Sequence, residues 1–256
     1  MIQVTNNNSK STSTKRWILL VLIVVLAGIL IWGISWATYA RPPLPQALAA
    51  LESDELVSVT EEPWLTFTPT GEIQAALIYY PGGRIDPRGY SNMMRAIAEK
   101  GYLVVVPSMP INMAIFDTNA AEEIISYYPD VENWAIAGHS VGGTSAAMYT
   151  AKNPDKIDGL AIWASYPANS SDLSELDLPV YMIYGELDEG VDRLSIEEKK
   201  GLLPPDTVYL EIPGGDHHQF GTYLTEPGDD RSTTPRAVQQ AIIIQGTLDL
   251  LKTITK

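Results

Sequence analysis

Between residues 75 and 213 the chain carries six short apolar runs: AALIYY (75–80), YLVVVP (102–107), WAIAG (134–138), GLAIWA (159–164), VYMIYG (180–185) and TVYLEIP (207–213). A strand wetted on one face alternates apolar and polar residues. Runs this continuous need cover on both faces, which a buried parallel sheet provides. Segments of helical length separate them: YSNMMRAIAEKG (90–101), ending at Gly101; TNAAEEIISYY (118–128); SVGGTSAAMYTAKN (140–153), stopped before Pro154; and TTPRAVQQAIIIQGTLDLLKTI (233–254). For the last, Thr234 is expected as the cap and Pro235 at the first helical position. Such alternation predicts an α/β fold, a doubly wound and mostly parallel sheet with helices on both faces. VSVT (57–60) and WLTFTP (64–69), joined by the turn Glu61-Glu62-Pro63, read as an antiparallel pair that opens the sheet.

A different pattern occupies the N-terminus. WILLVLIVVLAGILIWGISW (17–36) contains no charge and is long enough for a helix to cross a hydrocarbon core of about 30 Å. Four domain spans follow: a disordered cytoplasmic tail over 1–16, a transmembrane helix over 17–39, a linker over 40–56 and an α/β body over 57–256. The linker's proline-rich ARPPLPQ (40–46) is expected to stand stiffly off the bilayer, with a short helix in ALAALES (47–53). Lys10, Lys15 and Arg16 precede the apolar segment without any acidic residue, whereas Arg41 is followed by Glu52, Asp54 and Glu55. The positive-inside rule then puts the N-terminus in the cytoplasm and the body outside the cell. Ser35, Ala37 and Ala40 are small residues that a signal peptidase could use, but the apolar core exceeds the roughly 7 to 15 residues of a signal peptide.

A formal net charge of −14 excludes the clustered basic surface that nucleic acid requires. The absence of cysteine excludes disulfides, thiolate metal sites and a cysteine nucleophile.

The chemistry concentrates around AIAGHSVGGTSAAM (135–148), where Ser140 stands in a Gly-x-Ser-x-Gly pattern between an apolar run and a helix. A serine there is either an N-cap or a nucleophile on a sharp strand-to-helix turn, with Gly138 and Gly142 needed because side chains would collide. A serine nucleophile needs a base, and the chain has three histidines. His139 is expected to point away from the site, leaving His217 and His218 in the loop IPGGDHHQFGTY (212–223). The base needs an acid, for which Asp188 in YMIYGELDEGV (181–191) is chosen over Glu186, Glu189 and Asp192. LIYYPGGRID (77–86) places Gly82 and Gly83 where a backbone could closely approach a substrate.

Together the strand followed by Pro-Gly-Gly, AGHSVGG, YGELDEGV and GGDHHQFGTY resemble the α/β-hydrolase superfamily, and more narrowly a branch of small, often membrane-anchored bacterial members. The resemblance covers about residues 57–252. It implies an α/β-hydrolase fold with Ser140 as nucleophile, Asp188 as acid and His217 as base. It also implies oxyanion donors from the backbone N–H groups of Val141 and of Gly83 or Arg84. His218 stands where that branch commonly has a small residue.

The expected protein is therefore a membrane-anchored serine hydrolase, foremost a carboxylesterase for small or short-chain esters acting through an acyl-enzyme. The stretch from Ala164 to Pro179 is too short to hold a large lid, which favours small substrates. No cofactor is expected. No metal is expected either, because His217 and His218 are adjacent and lack a third clear ligand. The alternative is a non-catalytic surface binding or scaffold protein on a hydrolase fold.

Overall fold

The computed structural model describes residues 9–255, with side-chain surroundings given from residue 15 onward except at residue 37. The chain forms two units, the first ending at Tyr39 and the second beginning at Ala40.

The first unit is one helix, α1 (Ser9–Thr38). Its stretch Lys15–Trp36 has a mean hydropathy of 3.0 and is long and apolar enough to cross a membrane. Residues 17–36 of it are apolar all round and almost all exposed, unlike the one-sided pattern of a helix lying on a core. It starts earlier than expected: residues 9–16 of the expected tail are helical, and residues 1–8 lie outside the described residues. Extending an existing helix is easier than nucleating one, and no proline or glycine interrupts Ser9–Arg16.

The second unit corrects the expected linker. Residues 40–44 lie against the α/β body, with Arg41 paired to Ile85 and Pro43 to Tyr223 in isolated β-bridges. A short helix, α2 (Pro45–Ala49), follows and buries Ala47. A proline-rich stretch can join a sheet-like pairing at an edge, where its missing N–H groups face outward.

All eight expected strands form. β1 (Val57–Thr60), β2 (Leu65–Pro69), β3 (Ala75–Tyr80), β4 (Tyr102–Val106), β5 (Trp134–His139), β6 (Gly159–Trp163), β7 (Val180–Gly185) and β8 (Val208–Ile212) make one sheet. Their order is β1-β2-β4-β3-β5-β6-β7-β8. β1, β2 and β4 pair antiparallel, and β4, β3 and β5 to β8 run parallel.

Helices cover both faces. α3 (Ser91–Ala98) lies on one face with α7 (Arg236–Ile254), where Met93, Met94, Ile243 and Leu250 pack with Tyr79 and Trp163. α4 (Ala120–Tyr127), α5 (Val141–Lys152) and α6 (Arg193–Lys199) cover the other, where Ile124, Ala146 and Ile196 pack with Tyr80 and Ile136. Tyr79 and Tyr80 enter opposite cores because successive strand residues alternate faces.

Thr234 does not cap α7. The helix opens at Arg236 with Pro235 in the cap position and no side-chain cap. The Thr234 hydroxyl instead donates to the Pro213 carbonyl at 2.6 Å, tying the helix approach to the loop after β8.

The site is positioned by strand order. β3 lies between β4 and β5, so the chain leaves it first to one side and then returns to the other. The turns after β3 and β5 therefore open side by side at the carboxyl edge of the sheet, a switch point where such folds bind ligands.

Candidate active site

Ser140 sits between β5 and α5 at φ 55 and ψ −127, and its side chain makes no capping hydrogen bond, so it is not a simple N-cap. Its amide donates to the Trp163 carbonyl at 2.9 Å, and its own carbonyl accepts from the Gly143 amide at 2.9 Å. The side chain is half-buried. The flanking glycines are obligatory. A Cβ on Gly138 would overlap the Gly142 carbonyl and lie 2.7 Å from the Gly143 nitrogen. One on Gly142 would overlap the Tyr80 carbonyl and lie 2.6 Å from that of Pro81. Val141 occupies the first helical position of α5, where the amide has no carbonyl partner within the helix.

The turn after β3 faces this elbow. A Cβ on Gly83 would stand 3.1 Å from Val141 Cγ1 and 2.8 Å from Met113 Sδ. The three amides of the turn differ. That of Gly82 donates to the Tyr90 hydroxyl at 3.0 Å, and that of Arg84 to the Asn112 carbonyl at 2.7 Å. Arg84, one of the two alternatives for the second oxyanion donor, is thus already engaged. Among the described residues the Gly83 amide has no hydrogen-bond partner, which leaves Gly83 and Val141 as the candidate donor pair.

His217 opens a 3₁₀ turn after β8, and its Nδ1 lies 2.8 Å from Asp188 Oδ2. Asp188 is buried, and its Oδ1 accepts from the amides of Gly190 at 2.9 Å and Val191 at 3.1 Å. Those two bonds fix the carboxylate so that its other oxygen meets the ring. The rival acids have other partners. Glu186 accepts from the Gly214 amide at 2.9 Å, Glu189 pairs with Arg231, and Asp192 caps α6 by accepting from the Ser195 amide at 2.8 Å.

His218 turns elsewhere, with Nε2 3.7 Å from Asp229 and Nδ1 4.0 Å from Asp216. Burial lowers its pKa, and Asp229 opposes that effect.

His139 does not point away from the site. It is wholly buried beneath it, 4.7 Å from the His217 ring between centroids and stacked on Phe220 at 5.5 Å. Its Nδ1 lies 2.9 Å from the Tyr90 hydroxyl. That hydroxyl also accepts from the Gly82 amide, so it bridges the turn after β3 and the buried histidine. Burial pushes the His139 pKa well below its ordinary value. A neutral ring can lie against His217 without repelling an imidazolium there. Ser140 Oγ makes no hydrogen bond to His217 in this structure; in such sites that bond often tightens only around a bound substrate.

Two supports escaped sequence reasoning. The Tyr90 hydroxyl joins the turn to the elbow. Gln239, fully buried on α7, brackets Asp216, its Oε1 accepting from that residue's amide at 3.0 Å and its Nε2 donating to that residue's carbonyl at 2.7 Å. The second had a signal: Gln239 and Gln240 interrupt the apolar stripe of AVQQAIII (237–244).

A cleft of about 180 Å³ lies beside His217, lined by Leu187, Gly190, His218 and Arg231. Three larger hollows lie away from the serine: about 580 and 790 Å³ around Val180 and Ala75 at the amino ends of strands, and about 550 Å³ beside Ala241 on α7. Among the described residues no group of three or more His, Asp or Glu is arranged to hold a metal.

The sequence profile of the alpha/beta hydrolase family matches residues 76–241, more than half of the chain. The chain belongs to the alpha/beta hydrolase family. The matched span of this alpha/beta hydrolase contains Ser140, Asp188 and His217. Its fold is shared with the solved structure of Est1E from Butyrivibrio proteoclasticus, at a TM-score of 0.53 and 13% identity over 78% of this chain and 100% of that one. A search of curated protein sequences finds no match to this alpha/beta hydrolase.

Proposed function

We propose that this alpha/beta hydrolase is a serine hydrolase, foremost a carboxylesterase for small or short-chain esters. The observation that carries the reading is the 2.8 Å pairing of His217 with buried Asp188, on the carboxyl edge where Ser140 is held at φ 55.

In the reaction, His217 Nε2 takes the proton of the Ser140 hydroxyl as Oγ bonds to the ester carbonyl carbon. Asp188 holds the Nδ1–H tautomer and stabilises the imidazolium, a pairing that supports general-base catalysis worth about 10²–10⁴-fold. The amides of Gly83 and Val141 receive the oxyanion, each such donor contributing about 10²–10³-fold. The intermediate collapses, the C–O bond to the alcohol breaks, and His217 returns its proton to the leaving oxygen. Water then repeats the sequence on the acyl-enzyme, releasing the acid and restoring Ser140. Residues 164–179 contain no helix, which leaves the site without a helical lid and favours small substrates. α1 is assigned as a membrane anchor with the N-terminus cytoplasmic and the catalytic unit outside, in line with the basic residues before it.

The test is labelling of the full chain in detergent with a fluorophosphonate probe. The wild type is expected to label, whereas Ser140→Ala and His217→Ala are not. A folded wild type that stays unlabelled would overturn the reading in favour of a binding or scaffold role.

A further inference from the structure

Arg84 stands at φ 57, a left-handed conformation that disfavours any residue with a side chain. Such a residue persists only where its surroundings over-determine it. Two main-chain bonds grip Arg84 from opposite sides: its amide donates to the Asn112 carbonyl, and its carbonyl accepts from the Arg41 amide, both at 2.7 Å. The Arg41 carbonyl in turn accepts from the Asp86 amide at 3.1 Å. Arg41 therefore brackets Ile85 as a short parallel strand would, holding the Arg84 carbonyl on one side of that bridge. The residue before Arg84 is Gly83, whose amide is a candidate oxyanion donor, so the bonds to Arg84 fix the peptide unit next in the chain to the one that carries that amide.

The same segment reaches across to the base loop. The Leu44 amide donates to the Thr222 carbonyl and the Leu224 amide to the Pro42 carbonyl, each at 2.9 Å. The Arg41 guanidinium meets Asp229 at 2.5 Å, and Asp229 faces the ring of His218. Four consecutive residues thus tie the turn after β3 to the segment that follows His217.

We infer that residues 41–44, which follow α1 closely in the chain, form a positioning strap that holds the oxyanion turn in its strained, productive shape. The inference rests on the serine-hydrolase reading. It makes the strap part of the catalytic unit: cleavage ahead of Arg41 leaves an active body, and cleavage after Leu44 leaves a weakened one.

The test compares Arg41→Ala, Arg41→Lys and Arg41→Pro in the full chain, with melting temperature measured alongside. Proline removes the amide donor to Arg84 as well as the side chain; alanine removes only the side chain. Arg41→Pro is expected to lower kcat on a short acyl ester about tenfold with KM nearly unchanged, since small misplacements of catalytic groups act on the transition state. Its fluorophosphonate labelling should slow by the same factor. Arg41→Ala should lose only about threefold, with Arg41→Lys recovering most of that, because the guanidinium contact is the lesser part of the strap. A folded Arg41→Pro that turns over and labels at the wild-type rate would overturn the strap and leave the hydrolase reading standing. An unlabelled wild type would overturn both. Should Arg41→Pro fail to fold, Leu44→Pro removes the bond to Thr222 in its place. Should that also unfold, a wild-type kcat in Arg41→Ala overturns the inference.

Discussion

Ser140 and Arg84 follow adjacent strands and share nearly the same positive φ, 55 and 57, yet they are restrained in different ways. At the elbow, restraint is steric. Gly142 brings the turn against the carbonyls of Tyr80 and Pro81, Gly138 lets it close on Gly142 and Gly143, and no side chain fits at either place. At the turn after β3, restraint comes from hydrogen bonds supplied by Arg41 and Asn112, residues far from Arg84 in the chain. Strain held by close packing is resistant to small changes elsewhere and intolerant of any added atom on the spot. Strain held by remote bonds tolerates local change and is vulnerable at a distance.

The largest effects should separate the chemistry from this scaffold. Ser140→Ala and His217→Ala are expected to lower turnover of a short acyl ester by about 10⁴-fold or more, against less than about tenfold for His218→Ala. Equal losses at the two histidines would break the assignment of the base. For stability, Gly142→Ala is expected to cost about 3 kcal/mol or more in urea denaturation, because its Cβ meets backbone that cannot move. A neutral Gly142→Ala would remove the steric account of the elbow.

Tyr90→Phe sharpens the comparison, since that hydroxyl joins the two regions. Deleting it strands the buried Gly82 amide and His139 Nδ1 and should cost about 1–3 kcal/mol. A change under a few tenths would mean that the two regions are set independently. Next in size is a pH effect from His139. Its folded pKa lies below the unfolded value, so the unfolded chain binds more protons below about pH 6.5, and stability falls as pH drops through that window. The slope should approach about 1 kcal/mol per pH unit by chemical denaturation at pH 6.5 and 5.5, and His139→Gln should flatten it. An unchanged slope in that variant would assign the acid sensitivity to other groups. The smallest effect is expected for Arg84→Gly, within about 1 kcal/mol of wild type, as relief of strain offsets the added freedom of the unfolded chain. A large loss there would show that the Arg84 side chain, rather than its backbone bonds, holds the turn.

The same contrast explains what could be read in the sequence. The elbow was legible because steric restraint is written locally, as glycines at fixed offsets from Ser140. The sheet was legible because two-sided burial makes strands apolar throughout, and Asp188 and His217, which pair in the structure, are singled out by their positions just past such runs. The strap was not. Its contribution is made by backbone N–H and C=O groups, which every residue carries, and its prolines pointed to a free connector. The loss of Arg84 as a donor was hidden for the same reason, since nothing in the sequence marks the Asn112 carbonyl as its acceptor. The position of His139 beneath His217 depends on the crossing of β5 with the loop after β8, and one histidine beside a serine does not reveal it.

Gln239 ties the seating of the His217 loop to the arrival of α7. The bonds that its side chain makes to both sides of Asp216 come from α7, which follows the elbow by nearly a hundred residues. During synthesis the serine elbow emerges long before the residues that seat its base. A nascent chain stalled short of Gln239 would carry a complete elbow and an unseated His217. Chains held on the ribosome through a C-terminal linker of increasing length should stay dark to a fluorophosphonate probe until Gln239 has cleared the exit tunnel.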